Sequence, residues 1–154
     1  MKELLIKVDD LQDQGIMRLL EEHRREMFQY SPPESIHALD VAELKHPSLT
    51  FWSAWQGDQI AGCGALKELS ETHAEVKSMR TAKVFLRRGV SSRLLEVMLS
   101  EAKSRGYRRL SLETGTHKAF EPAIALYRKF GFMETAPFGE YSEDPHSLFM
   151  TKFI

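Results

Sequence analysis

The stretch from His73 to Gly115 constrains the fold more than any other part of the chain. "HAEVKSMRT" (73–81) alternates as a strand does, and "RRLSLETG" (108–115) alternates around Leu110 and Leu112. Between them Val90, Leu94, Met98 and Ala102 recur every four residues, with Leu95 and Leu99 widening the stripe into one face of an amphipathic helix. Gly106 supplies its C-terminal stop. Strand, helix and strand in that order make a crossover, and a crossover joins parallel neighbours. The spacing therefore predicts an α/β fold with a mixed sheet and helices on both faces.

The remaining elements fit around this unit. "ELLIKV" (3–8) reads as a first strand, followed by a helix over "DLQDQGIMRLLEEHRREMF" (10–28) carrying Ile16, Leu19, Leu20 and Met27, with Gly15 weakening its start. The proline pair in "QYSPPES" stops that helix, and a shorter one is expected over 35–44. "LTFWSAWQ" (49–56) and "QIAGCGALKEL" (59–69) flank a Gly57–Asp58 turn and read as a hairpin. Pro122 opens a further helix with Ala123, Ile124, Tyr127 and Phe130 on one side and Gly131 closing it. "FMETAPF" and "SLFMTKFI" are expected as the last two strands.

Size and composition narrow the function classes. The 154 residues suit one domain, 1–154, with a single core, and neither a repeat nor a linker interrupts them. With 21 basic against 22 acidic residues, the chain lacks the basic surplus that nucleic-acid binding draws on. No apolar run reaches membrane-spanning length, so no membrane partner is expected. The single cysteine, Cys63, forms no internal disulfide and fits a reducing cytoplasm. The six histidines include no pair at helical ligand spacing, and no metal is expected.

The candidate site begins where the crossover helix begins. Arg87, Arg88 and Gly89 stand where a helix ordinarily places a Ser or Asp cap. The first N–H groups of a helix have no partner within it, and its dipole is positive there, so such a terminus binds phosphate. An ordinary turn with solvated arginines is the competing account. Tyr127 likewise reads either as a core tyrosine or as a proton donor. Glu75 and Glu113 read either as strand-edge charges or as bases.

Three segments resemble one family. "VKSMRTAKVFLRRGVSSRLL", "LETG" and "ALYRKFGF" look like the GNAT superfamily of acetyl-CoA-dependent acyltransferases, over residues 76–133. Its hallmark is Gln/Arg-x-x-Gly-x-Gly/Ala between a strand and a helix. Aligned on Gly89, the chain has Leu86 and Ser91 at the first and last motif positions, two departures that still leave the backbone amides. The resemblance implies a single domain with a mixed, largely antiparallel sheet of six to seven strands. It implies acetyl-CoA as cosubstrate, with no metal, and a small-molecule or peptide amine as acceptor. By the same resemblance Met79 and Thr81 border the pantetheine arm, and the amides of Arg87, Arg88, Gly89, Val90 and Ser91 hold the pyrophosphate. Tyr127 would protonate the departing thiolate.

An alkylamine acceptor would need a base, for which Glu75 is the first candidate and Glu113 the second. In this family the N-terminal helices cover the acceptor side, where Arg24 and His37 are the candidates for substrate binding. Cys63, mid-strand in "AGCGAL", reads as a buried small hydrophobe rather than an acyl carrier. A non-catalytic acyl-CoA-binding module is the rival reading, prompted by Leu86 and Ser91. A homodimer through the C-terminal strands is compatible with the sequence.

Overall fold

The computed structural model describes residues 3–37 and 40–154. In chain order the elements are β1 (Leu5–Val8), α1 (Gln14–Tyr30), α2 (Val41–Leu44), β2 (Leu49–Gln56), β3 (Gln59–Glu68), β4 (His73–Thr81), α3 (Val90–Ser104), β5 (Arg109–Gly115), α4 (Glu121–Lys129), β6 (Met133–Glu134) and β7 (Ser147–Phe153). The strands form one sheet in the order β1-β2-β3-β4-β5-β7-β6. Among the described residues only the β4–β5 pair is parallel; the others are antiparallel. The crossover read from the sequence is thus the one the sheet contains.

Register fixes what each face carries. A Cβ built on Gly62 would lie 2.8 Å from Val90, and one on Gly64 would lie 2.9 Å from Met98, so these positions face α3. Leu66 pairs with Val76, Ala74 with Leu110, and Val76 with Leu112, so Val76, Ala74, Leu110 and Leu112 share the α3 face. The crossovers β4–α3–β5 and β5–α4–β6 run the same way across the sheet, and right-handedness puts α3 and α4 on one face. The opposite face holds Cys63, Lys77, Arg80, Ser111 and Glu113 and is covered by α1, whose Glu22 and Glu26 pair with Arg80.

The core lies mainly between the sheet and α3, where Leu94, Leu95, Met98 and Ala102 are fully enclosed. Leu94→Ala should cost about 3–5 kcal/mol through lost burial and a cavity, read as a lower denaturant midpoint at unchanged slope.

Three boundaries differ from the sequence reading. Helix α1 starts late because Asp13 caps it, its carboxylate accepting from the Gly15 N–H at 2.7 Å. The helix expected over 35–44 is not continuous. A 3₁₀ turn covers Pro33–Ser35, Ile36 is extended, and α2 begins only at Val41, where Asp40 as N-cap forms a capping box with Glu43; Ala38 and Leu39 lie outside the described residues. The strand expected over 132–138 shrinks to Met133–Glu134, because Pro137 cannot donate to a ladder. The chain after it leaves the sheet edge and carries Phe138 and Tyr141 back over the face opposite α3.

Candidate active site

The parallel pairing of β4 with β5 covers only His73–Val76 against Arg109–Leu112. Beyond it β4 continues to Thr81 and β5 to Gly115, unpaired with each other. The sheet therefore parts at the carboxyl ends of two parallel strands, the usual place for a ligand crevice in an α/β sheet.

A bulge prepares the β4 side of this opening. Ser78 has φ 55°, and the β3–β4 register shifts between Cys63 and Ala65. The extra residue re-aims the side chains of the last three positions of β4. Met79 comes against Gly64 on the α3 face, Arg80 turns to α1, and Thr81 turns back toward α3 to meet Ser91. Without the bulge, plain alternation would exchange the faces of Met79 and Arg80.

The loop from β4 to α3 has the features of an anion cradle. Arg87 has φ 64° and Gly89 φ 81°, and Gly89 occupies the N-cap with no side-chain hydrogen bond to the helix. The first helical N–H groups are therefore not consumed by a cap, and the left-handed Gly89 would strain any other residue. Val90 is buried, so only its backbone can reach a ligand. Arg88 lies over the Phe85 ring at 5.7 Å, and Arg87 is exposed. Ser91 Oγ is 2.5 Å from Thr81 Oγ1; with Thr81 as donor, the Ser91 proton stays available to a phosphate oxygen. Leu86, at the family's Gln/Arg position, is 55% exposed and contributes no charge there.

Tyr127 sits on α4 and is buried, its ring edge-on to Phe132 at 5.8 Å. Burial pushes its phenol well above the ordinary range, so it holds its proton at neutral pH.

Glu75 and Glu113 share the opposite face of the sheet. Glu75 is buried, and its Oε2 accepts from Lys77 Nζ at 3.2 Å and from the Tyr141 hydroxyl at 2.5 Å. Lys77 Nζ also donates to Tyr141 at 2.9 Å, so Glu75 Oε2, Lys77 and Tyr141 hold one another in a closed triangle of hydrogen bonds. Glu113 is freer. Burial raises its carboxyl to about 7, an effect opposed by the Ser147 hydroxyl and Lys77 and reinforced by Glu75 and Asp144. Ser147 Oγ is buried beside it without completing a hydrogen bond.

His37 joins this group by packing edge-on to Tyr141 at 4.9 Å, and burial followed by Lys77 lowers its pKa. Arg24 does not join it. Arg24 is exposed on the outer side of α1 and lies over Phe28, because α1 turns Glu22 and Glu26 to the sheet instead. Cys63 is fully buried, donates to the Ser78 carbonyl at 3.3 Å, and has its thiol pushed up to about 12 by burial. It is an inert core residue.

Sequence reasoning missed Tyr141, Lys77 and Ser147. Lys77 could have been found as the same-face neighbour of Glu75 on β4, whereas Tyr141 lies in an irregular segment that carries no periodic signal.

A crossover helix entering where a parallel strand pair parts is the α/β arrangement that the family resemblance in the sequence implied. The sequence profile of the Acetyltransferase (GNAT) family matches residues 14–132. The chain belongs to that family and is an acyltransferase. It is 55% identical over 147 residues to the uncharacterized N-acetyltransferase YsnE of Bacillus subtilis, covering 96% of this chain and 97% of that one. It is 51% identical over 146 residues to the uncharacterized N-acetyltransferase YedL of Escherichia coli, covering 95% and 92%. The structure of a GNAT family acetyltransferase from Elizabethkingia anophelis with acetyl-CoA bound superimposes with a TM-score of 0.71, covering 98% of each chain at 19% identity, a likeness of fold.

Among the described residues no helix is long and apolar enough to cross a membrane, and no group of three or more His, Cys, Asp or Glu is arranged to hold a metal ion.

Proposed function

We propose that this acetyltransferase moves the acetyl group from acetyl-CoA directly to the amine of a small molecule or peptide within a ternary complex. The observation that carries this reading is the division of Tyr127 and the two carboxylates between the two faces of the sheet. Tyr127 lies on α4, on the α3 face of the sheet, while Glu113 and Glu75 lie on the α1 face. A thioester seated in the opening would meet the acceptor from one side and the thiolate's proton donor from the other.

The amides of Arg87 to Ser91, with the two arginine charges, would hold the pyrophosphate, and Met79 and Thr81 would flank the pantetheine arm. Unpaired backbone groups of β4 beyond Val76 would polarise the thioester carbonyl. The amine nitrogen attacks the carbonyl carbon, its proton passes to Glu113 directly or through water, and the carbon–sulfur bond breaks. Tyr127 donates its proton to the departing sulfur and recovers one from solvent.

An alkylamine of pKa about 10.4 is neutral in only about one molecule in a few thousand at pH 7, a handicap of roughly 4–5 kcal/mol that a base relieves. Glu113, raised to about 7, is poised for this, and Glu75 lies beside it, tied to Lys77 and Tyr141. The inert Cys63 favours direct transfer over an acyl-enzyme.

Free-thiol release measured across a panel of amines, amino acids and peptides tests the reading, and release with none of them would refute it. Acetyl-CoA at a hundredfold excess over its Kd should stabilise the protein by about 2.7 kcal/mol, a rise in Tm of roughly 5–10 °C for a domain of this size. No shift at millimolar ligand would refute both this reading and that of a non-catalytic acyl-CoA-binding module.

A further inference from the structure

We propose that the acceptor is an arylalkylamine, a cationic amine joined by a short alkyl link to an aromatic ring and carrying no carboxylate. The proposal rests on the amine-acetylation reading above and names its substrate class. Aromatic rings from several separate chain segments converge around Glu113. Gly115 shares a face with Glu113, and a Cβ there would lie 2.3 Å from the Phe120 ring, so that ring rests against the sheet backbone beside the carboxylate. Tyr30, the last residue of α1, meets Phe120 edge-on at 6.2 Å and His117 at 4.7 Å. On the other side Phe149 is the cross-strand partner of Glu113 and lies 5.5 Å from Tyr141, which in turn meets His37 and Phe138.

Phe138 and Phe149 are buried behind, whereas Tyr30, Phe120, His37 and Tyr141 are only partly buried. Edge and face contacts of this kind suit another aromatic ring, and the ring faces also attract a cation.

The charges of the cluster point the same way. Glu75, Glu113 and Asp144 outnumber Lys77, which already donates to Glu75 and Tyr141. His37, with its pKa lowered, supplies no cation at neutral pH. A carboxylate on the acceptor would meet like charge here, whereas an ammonium would meet Glu113 and transfer its proton there.

The test compares phenethylamine, butylamine and phenylalanine as acceptors by thiol release from acetyl-CoA. The kcat/KM for phenethylamine should exceed that for each of the other two at least tenfold. Tyr30→Leu, and independently Phe120→Leu from another segment, should raise the KM for phenethylamine severalfold and leave the KM for acetyl-CoA unchanged. Butylamine or phenylalanine performing as well as phenethylamine, or an unchanged KM in both variants, overturns the assignment while amine acetylation stands. So does release with some other amine of the panel but none of these three. Absence of release across the whole panel overturns the amine reading, and this one with it.

Discussion

Tyr127→Phe should lower kcat at least a hundredfold while acetyl-CoA binding, followed by thermal stabilisation, stays intact. The substitution removes only the hydroxyl. The ring keeps its edge contact with Phe132 and its place in the core, so the fold should be conserved. In the proposed mechanism the lost hydroxyl is the proton source for the departing thiolate, and general-acid catalysis of this kind is worth about 10²–10⁴ in rate, or roughly 3–5 kcal/mol. The buried phenol is a weak acid, yet the same burial disfavours the thiolate it serves. A free thiol titrates near ~8.5 and a free phenol near ~10, so the hydrogen bond stabilises the leaving sulfur even before the proton moves fully. An unchanged kcat would remove Tyr127 from the mechanism and leave it as a core residue.

Glu113→Gln should move activity and stability in opposite directions. In the folded protein the Glu113 carboxyl titrates near 7, against an ordinary value of 4.5. As a base it must be ionised, so kcat/KM for an alkylamine should fall tenfold per pH unit below about 7, and Glu113→Gln should lose both the rate and this dependence. For stability the sign is the reverse of the usual salt-bridged acid. The folded state holds the proton more tightly than the unfolded chain, so stability is greatest below pH 4.5 and is lost as pH rises through about 7. The neutral amide escapes this penalty, and at pH 8 the variant should be more stable than the parent by roughly 2–3 kcal/mol, allowing for partial exposure. Denaturant melts of both proteins at pH 5 and pH 8 measure it. Equal stability at both pH values would show that Glu113 is an ordinary surface carboxylate.

The two carboxylates illustrate how far a sequence can be read. Glu75 and Glu113 could be singled out because each lies on a strand of the crossover unit. Which of them is held by hydrogen-bond partners depends on Lys77 and Tyr141. Tyr141 lies 66 residues beyond Glu75, in a stretch with no periodicity. Arg24 shows the converse. Its composition suits a substrate pocket, but the rotation of α1 is set by the pairing of Glu22 and Glu26 with Arg80, and that turns Arg24 outward. The break in the expected 35–44 helix was legible in part, since Asp40 and Glu43 carry the spacing of a capping box.

Periodicity, turn residues and the run from "VKSMRT" to "ALYRKFGF" determined by themselves the α/β class, the parallel crossover, the family resemblance and the candidate positions of the anion loop and Tyr127. These depend on contacts within a turn or a strand, where spacing along the chain is also spacing in space. Only the tertiary structure decided which faces the side chains occupy. The bulge at Ser78 reverses the alternation of β4, so that Met79 and Arg80 exchange sides. It likewise decided that the rings of Tyr30, Phe120 and Tyr141 gather around one carboxylate, because such contacts join distant segments and leave no periodic trace in the sequence.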